Sequence, residues 1–346
     1  MNDNFNFPND SQNQINMTDS EIKSHKKIFT RIGLAFLSYI VISQGLSILA
    51  GSVIGTFAPE ILRGQDFVLV LSSVIQYLVA FPVLCFLLRS IPKREPAGTR
   101  VGVKKFLKYG VVCMFFMYVG SYISTFLMTN IGSLLGRMPE NAVNNLLDNT
   151  NVFLSVLIVG IIGPIFEEIM FRKLFIDRLM PYGEVVAILF PSLMFGLFHG
   201  NLYQFFYAFL LGMIFSYIYV KTGEIIYSIA LHMFINLFCG VLPSAVFSML
   251  DYNELMELVS TGALTEEYVS ANMFPLLLFI VYTYGMLAMV GIGLFVFLRN
   301  IKNIHVNKGE VKFPKGVGSD VVFFNAGTIA LIAVCIILIA LNTFAV

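Results

Sequence analysis

A small group of ionisable residues interrupts stretches of the sequence that are otherwise apolar enough to lie in a membrane. Glu167 and Glu168 are adjacent, Arg172 follows one helical turn later, and His199 and His232 stand in later apolar stretches. Each charge near the bilayer centre costs roughly 2.5 to 3.5 kcal/mol on insertion scales. A sequence selected only to span a membrane would not contain them, so this group predicts a functional site.

Arg172 cannot easily pair with both glutamates. Glu168 and Arg172 are four residues apart, so they lie on the same helical face and can form an ion pair that holds helices together without any chemistry. Glu167 is rotated by about 100 degrees from Glu168 on a helix and faces elsewhere. Its partner must therefore come from another helix.

Helical depth predicts which residues meet Glu167. The turn PYGE at 181–184 joins two spans as an antiparallel hairpin. Glu167 lies about 22 Å and His199 about 24 Å from that turn, at roughly 1.5 Å per residue. His232 lies about 12 Å from the next turn on the same side, a difference that closes if the preceding helix projects below the bilayer. Asn236 is one turn beyond His232 on the same face.

The composition predicts the elements that carry these residues. Of 346 residues, 57% are hydrophobic and 12% charged, and the mean hydropathy is +0.81; these values indicate an all-α, polytopic transmembrane helical bundle. Nine stretches meet or approach the roughly 20 apolar residues that a spanning helix needs. They are 32–57, 67–89, 108–135, 152–171, 185–200, 203–220, 225–249, 274–298 and 321–345.

Charge sets the predicted orientation and excludes some partners. If the N-terminus is cytoplasmic, 20 of the 22 Lys and Arg residues fall on the cytoplasmic side, and only Arg63 and Arg137 fall outside. The loop 250–272 is acidic and has no Lys or Arg, which suits an external loop. A net charge of +1 and the absence of a basic stretch interleaved with aromatics give no sign of nucleic-acid binding. The four cysteines show no CxxC spacing.

The chain divides into four predicted parts. We expect a disordered polar tail at 1–28, N-terminal transmembrane helices at 29–146, a catalytic core at 147–242, and an acidic loop with the last transmembrane helices at 243–346. Within the core, Gly163-Pro164 can kink its helix and free a carbonyl. Gly196 and Gly200 have the GxxxG spacing that favours close helix packing.

The motifs together resemble those of a known family. Glu167-Glu168-x-x-x-Arg172, Phe195-x-x-x-His199 and His232-x-x-x-Asn236, in this order on separate membrane helices, are similar to the signature of the CAAX protease and bacteriocin-processing (CPBP) family, also called Abi. The resemblance covers about residues 150–240. It implies an intramembrane endopeptidase similar to type II CAAX prenyl endopeptidase.

The resemblance also implies a role for each residue. Glu167 and His199 would activate a water molecule, His232 and Asn236 would stabilise the oxyanion formed at the scissile carbonyl, and the buried pair would support them. Phe195 is expected to pack rather than react. The implied catalytic residues are Glu167, His199, His232 and Asn236, and the implied supporting residues are Glu168 and Arg172.

A metal is left open by the sequence. Glu167, His199 and His232 are a ligand set that Zn²⁺ accepts, and the family is often labelled a metalloprotease. There is no HExxH motif, and a glutamate with a histidine can polarise water unaided. We favour the metal-free mechanism slightly.

Two other functions compete with proteolysis. A proton-coupled transporter also needs intramembrane Glu and His, and a bacteriocin-immunity or scaffolding protein could keep the fold without cleavage. The predicted partners are membrane lipids and a membrane-embedded peptide or protein, with no nucleic acid. The resemblance allows a prenylated CAAX peptide, a bacteriocin leader or another membrane protein as substrate. The predicted location is a bacterial plasma membrane.

Overall fold

The computed structural model describes residues 17–250 and 252–344, and those residues form helices and no β-strand. Eight helices are long and apolar enough to cross a membrane, which confirms an all-α polytopic bundle. They are α1 (Asp19–Phe57), α2 (Gln65–Leu88), α3 (Val103–Leu135), α5 (Val152–Tyr182), α7 (Leu202–Thr222), α8 (Ile225–Val246), α11 (Met273–Asn303) and α13 (Ala326–Phe344). The shorter helices are α4 (Ala142–Asp148), α6 (Glu184–Phe198), α9 (Tyr252–Thr261), α10 (Glu266–Ala271) and α12 (Val317–Phe323).

The ninth predicted span, 185–200, is the short helix α6. It contains 15 residues, so it extends about 22 Å, less than the hydrocarbon thickness of roughly 30 Å. Glycines in left-handed or mirror-β backbone conformations bound it, Gly183 with φ +100 and Gly200 with φ +65. The predicted count of eight to nine spans is confirmed: eight helices are long enough to span, and α6 is the predicted ninth.

The amino-terminal segment differs from its prediction where the structure describes it. Residues 1–16 of the predicted polar tail lie outside the described residues, but α1 begins at Asp19. A capping box starts this helix: the Glu21 amide donates to Thr18 Oγ1, and the Thr18 amide donates to the Glu21 carboxylate. These bonds satisfy amides that a helix start leaves without partners. The last ten residues of the predicted tail are therefore helical.

The helix α7 is packed between α6 and α3. Gly196 of α6 and Gly212 of α7 permit the first contact, because a Cβ at Gly196 would lie 2.9 Å from the Phe205 carbonyl oxygen and one at Gly212 would lie 3.2 Å from Ser192. This agrees with the packing role expected for Gly196, whereas Gly200 forms the turn after α6. On the other side of the bundle, α1 packs against α13 and α2.

Most of the Lys and Arg residues lie at one end of the bundle, which we call the basic face. Backbone hydrogen bonds join its segments: the Arg94 amide donates to the Asp177 carbonyl at 2.7 Å, and the Thr99 amide donates to the Thr222 carbonyl at 2.7 Å. The segment 301–316 runs over the α5–α6 turn, where the Val311 amide donates to Pro181. Backbone hydrogen bonds thus hold the loops of the basic face against the ends of the helices.

The opposite end, which we call the acidic face, joins the starts of α2, α5 and α7 with the end of α8. Tyr203 Oη donates to the Pro139 carbonyl at 2.9 Å, and the Asn151 amide donates to Asp66 Oδ1 at 2.7 Å. Ser244 Oγ donates to Asp148 Oδ1 at 2.9 Å. The acidic residues of this face within the described chain are Glu60, Asp66, Glu140, Asp148, Glu254, Glu257, Glu266 and Glu267.

Candidate active site

The predicted pair of Glu168 and Arg172 is present and completely buried on α5. Arg172 Nε donates to Glu168 Oε2 at 2.8 Å, Nη2 donates to Oε1 at 3.1 Å, and both side chains have no exposed surface. Arg172 Nη1 also donates to Ser216 Oγ on α7 at 3.1 Å. The two-pronged contact and the further hydrogen bonds offset part of the cost of removing these ions from water.

Glu168 also holds a histidine from α8. His232 Nδ1 donates to Glu168 Oε1 at 3.0 Å, and a carboxylate can only accept, so the proton lies on Nδ1. The imidazole stacks on the Phe215 ring with centroids 5.3 Å apart and meets the Phe195 ring edge-to-face at 5.6 Å. These contacts aim the remaining nitrogen, Nε2, at Glu167.

Glu167 differs from its neighbour in exposure and in partners. Its side chain is 29% exposed, against 0% for Glu168. Its shortest described polar contact is to His232, with Oε2 3.8 Å from Nε2, which is too long for a hydrogen bond. Among the described residues, Glu167 is therefore the carboxylate of this site that is open to water and not occupied by a direct hydrogen bond.

His199 lies just after the end of α6 and is oriented by its own helix. Its Nδ1 lies 2.8 Å from the Phe195 carbonyl oxygen, which can only accept, so Nδ1 carries a proton and Nε2 is left for other partners. Its ring meets the Phe195 ring edge-to-face at 5.0 Å. Phe195 thus packs against both imidazole rings, in agreement with its predicted packing role.

Asn236 fills a gap in the hydrogen bonding of α5. The segment Ser155–Ile162 is π-helical, and the Gly163 amide donates to Ile158 five residues earlier. The Val159 carbonyl would need the next amide along, but Pro164 has none. Asn236 Nδ2 donates to this carbonyl at 2.9 Å. The carbonyl that Gly163-Pro164 was predicted to free is thus Val159, and a motif residue satisfies it.

These residues line one cavity of about 1040 Å³. The cavity reaches from the site to the acidic face. Its volume lies just above the range of roughly 300 to 1,000 Å³ that small-ligand sites occupy. The motif residues on its wall are Glu167, Phe195, His199, His232 and Asn236.

The nitrogen and oxygen donors of the site include types that bind metal ions. Two imidazole nitrogens and a carboxylate suit zinc in kind. Within residues 17–250 and 252–344, however, no group of three or more His, Cys, Asp or Glu side chains is arranged to hold an ion. The predicted ligand set of Glu167, His199 and His232 therefore does not form a metal centre in this arrangement, and the chemistry below is derived from the side chains alone.

Comparisons with known proteins agree with the motifs. Residues 149–238 match the family described as type II CAAX prenyl endopeptidase Rce1-like. This match confirms the resemblance to the CPBP family and covers the part of the chain that holds every motif residue. No solved structure matches the chain.

Two curated bacterial proteins are similar to this chain. The "Putative membrane peptidase YdiL" of Bacillus subtilis (strain 168) is 28% identical over 177 residues, which cover 49% of this chain and 70% of that protein. The "UPF0177 protein YxdF" of Lactococcus lactis subsp. lactis (strain IL1403) is 27% identical over 143 residues, covering 40% of this chain and 80% of that protein. Together with the eight long apolar helices, these similarities support a multi-pass membrane protein and, in general terms, a CAAX-type membrane peptidase.

Sequence reasoning missed three contributors to the site. Phe215 supports the His232 ring, Ser216 accepts from Arg172, and the Val159 carbonyl receives Asn236. The first two lie on α7, which carries no motif residue, so nothing in the motif spacing points to them. The third had a sequence signal, the Gly-Pro step, although the signal did not identify the partner.

Proposed function

We propose that the protein is an intramembrane endopeptidase in which Glu167 is the general base. The observation that carries the proposal is the contrast between two neighbouring carboxylates: Glu168 is saturated by Arg172 and His232, while Glu167 faces the cavity without a direct hydrogen bond. A base must be accessible to the water that it deprotonates. The resemblance to CPBP proteases assigns the same role to Glu167.

In the proposed first step, a water molecule in the cavity loses a proton to Glu167 while its oxygen attacks the scissile carbonyl carbon. His199 holds this water through Nε2, since Nδ1 is engaged by the Phe195 carbonyl. The carbonyl oxygen becomes an oxyanion. Donors fixed in a site with little water stabilise such an anion strongly.

The oxyanion is proposed to accept from His232 Nε2 and from the second N–H of the Asn236 amide. His232 can donate from Nε2 only as an imidazolium, and the Glu168 carboxylate at Nδ1 stabilises that form. In the second step the C–N bond breaks, and the leaving amine takes the proton from Glu167.

The proposed substrate is a peptide or protein that reaches the site within or at the membrane, and CAAX-type cleavage is one case of this. By the positive-inside rule, the basic face and the N-terminus are proposed to be cytoplasmic, in a bacterial plasma membrane. Membrane lipids are the other partners.

The test is cleavage in proteoliposomes. A library of internally quenched peptides with an N-terminal palmitoyl anchor is incubated with wild-type protein and with Glu167→Gln, each checked for folding by its elution profile and unfolding temperature. We expect the variant to lose at least a hundredfold in kcat. Cleavage that persists unchanged in the folded variant would overturn the proposal and favour a transporter or scaffold.

A further inference from the structure

A tyrosine of α2 lies beside the proposed general base on α5. A Cβ at Gly163 would lie 3.3 Å from the Tyr77 hydroxyl oxygen, Oη, and 3.8 Å from Glu167 Oε1. The two oxygens therefore approach one point from different helices, and both residues line the cavity. Because Gly163 has no side chain, no atom of a side chain at this position separates the hydroxyl from the carboxylate.

The two oxygens are complementary and unpaired. Among residues 17–250 and 252–344, neither Tyr77 Oη nor Glu167 Oε1 makes a hydrogen bond, and the contact of Glu167 with His232 uses the other oxygen, Oε2. A hydroxyl can donate, and a carboxyl group keeps an oxygen that can accept whether or not it is ionised. Polar atoms separated by more than a hydrogen-bond length are often joined by one water molecule. A hydrogen-bonded link between Tyr77 and Glu167 therefore needs little or no movement of the protein.

The ring of Tyr77 is held by the residue that precedes Glu167. It stacks on Phe166 with centroids 4.6 Å apart and planes inclined by 16°, and Phe166 meets Phe81 edge-to-face at 5.1 Å. Tyr77 lies in the π-helical segment Ile75–Ala80 of α2, and such segments occur frequently at functional sites. The stacking thus fixes the hydroxyl relative to the backbone of the proposed base.

We propose that Tyr77 positions Glu167: its hydroxyl donates to Oε1, directly or through one water molecule, and Oε2 is the oxygen that takes the proton. The proposal rests on the proposed function and adds a residue of α2, which lies outside the matched residues 149–238. A carboxylate bound at one oxygen cannot rotate freely away from the water that it deprotonates, and small displacements of reacting groups are costly. Since Oε2 faces His232, the bond also keeps the basic oxygen near the proposed oxyanion donors.

The first experiment measures the contact without turnover. Unfolding in detergent is followed for the wild type, Tyr77→Phe, Glu167→Met and the double variant. Phenylalanine keeps the stacked ring, and methionine keeps the length of the side chain without an acceptor oxygen. We expect the two effects on the unfolding equilibrium constant to depart from independence by at least threefold, as they do for residues in contact. Independent effects would overturn the proposal, even where Glu167 proves essential for cleavage.

The second experiment measures turnover of the palmitoyl peptide that the wild type cleaves fastest. Tyr77→Phe should lower kcat about tenfold and keep KM within twofold, because the base is displaced while the cavity keeps its shape. Tyr39→Phe is the matched control, since this tyrosine of α1 is buried, stacks on Phe198 and does not line the cavity. It should keep both constants within twofold. Equal losses of kcat in the two variants would overturn the proposal, whereas a wild type without cleavage would overturn the proposed function and leave the contact to the first experiment.

A substitution at Gly163 tests the place of the link. The methyl group of Gly163→Ala would stand beside Tyr77 Oη and Glu167 Oε1, and also 3.2 Å from the Ile158 carbonyl oxygen. We expect kcat to fall about tenfold in the wild-type background and less than twofold in the Tyr77→Phe background, where no link is left to disturb. An equal fall in both backgrounds would show that the methyl group acts elsewhere, for example on the Ile158 carbonyl, and would count against the proposed link.

Discussion

Glu168 and His232 are joined by a hydrogen bond of 3.0 Å although 64 residues separate them in the chain. The bond connects the fully buried ion pair of α5 to the imidazole of α8 that faces the cavity. One oxygen of Glu168, Oε1, accepts both from this imidazole and from Arg172. The Glu168 carboxylate therefore contributes both to the stability of the bundle and to the orientation of His232 for the proposed chemistry. Substitutions can separate these two contributions.

Glu168→Gln should destabilise the protein strongly. It leaves Arg172 buried without a counter-ion, and breaking a buried pair in this way costs about 3 to 5 kcal/mol. Thermal unfolding in detergent measures the loss, with Glu167→Gln as the control that should change the unfolding temperature little. Replacing both partners, Glu168→Met with Arg172→Met, should recover most of the stability but not the activity, because His232 loses its anchor. A double variant with wild-type activity would contradict the anchoring role.

Asn236 and Pro164 should be energetically coupled. Asn236→Ala leaves the half-buried Val159 carbonyl without this donor, which costs about 1 kcal/mol, the lower end of the range for an unsatisfied buried group. Pro164→Ala supplies a backbone amide that can donate to the same carbonyl, so Asn236→Ala should cost clearly less in that background. A double-mutant cycle of unfolding free energies measures the difference. Strictly additive effects would show that the Asn236 amide does not serve this carbonyl.

Phe195→Leu should lower turnover more than it lowers stability. The ring touches both imidazoles and lies under the Arg172 guanidinium at 5.1 Å, so its loss loosens the geometry of two reacting groups. We expect kcat to fall about tenfold, since small displacements of catalytic groups are costly. Phe190→Leu is the matched control, because this ring is equally buried but packs on Phe175 and Phe323 away from the site. Equal kcat losses in the two variants would refute the prediction.

Gly196→Ala should separate α6 from α7. The added methyl would lie 2.9 Å from the Phe205 carbonyl oxygen, and forcing extra volume into a packed contact costs about 1 to 3 kcal/mol. Gly285→Ala on α11 is the control, since a Cβ there has no neighbour within 4 Å. That variant should keep or slightly raise the unfolding temperature. A Gly196→Ala protein as stable as the control would remove close packing as the reason for this glycine.

Activity should survive exhaustive chelation. The described residues contain no group of three metal-ligating side chains arranged around one point, and Glu167 and His199 suffice for the proposed activation of water. Rates before and after dialysis against a chelator should agree within about twofold, a difference well under 1.4 kcal/mol in barrier height. Elemental analysis of the same samples provides the counter-test. One zinc per active chain, with activity lost on its removal and restored on its return, would end the metal-free mechanism.

Hydropathy and helical spacing predicted the bundle and the pair of Glu168 with Arg172, because both depend on local rules that operate along one helix. The same rules predict a partner from another helix for Glu167 and only Arg172 for Glu168. His232 binds Glu168 instead, through a contact between helices that no spacing along a single helix can specify. Tertiary contacts of this kind depend on how α5, α7 and α8 pack.

The π-helical segments explain a second difference. The segments Ser155–Ile162 and Ile169–Ile176 flank the two glutamates, and another, Asn236–Val241, begins at Asn236. Depth and facing were predicted from regular α-helical geometry, in which each amide donates four residues back. The wider π-helical turns change both the depth and the facing of the residues that follow them. Of these three π-helical segments, only the first has a signal in the sequence, which is Pro164.

The helix α6 contains only fifteen residues, and His199 follows its last residue. A helix some 8 Å shorter than the hydrocarbon layer is accommodated by local thinning of the lipid. We therefore expect headgroups and water to lie close to the end of α6, where a polypeptide could present an extended stretch to the proposed active site outside the hydrocarbon layer. The shortness of α6 would thus place the proposed hydrolysis close to the membrane surface.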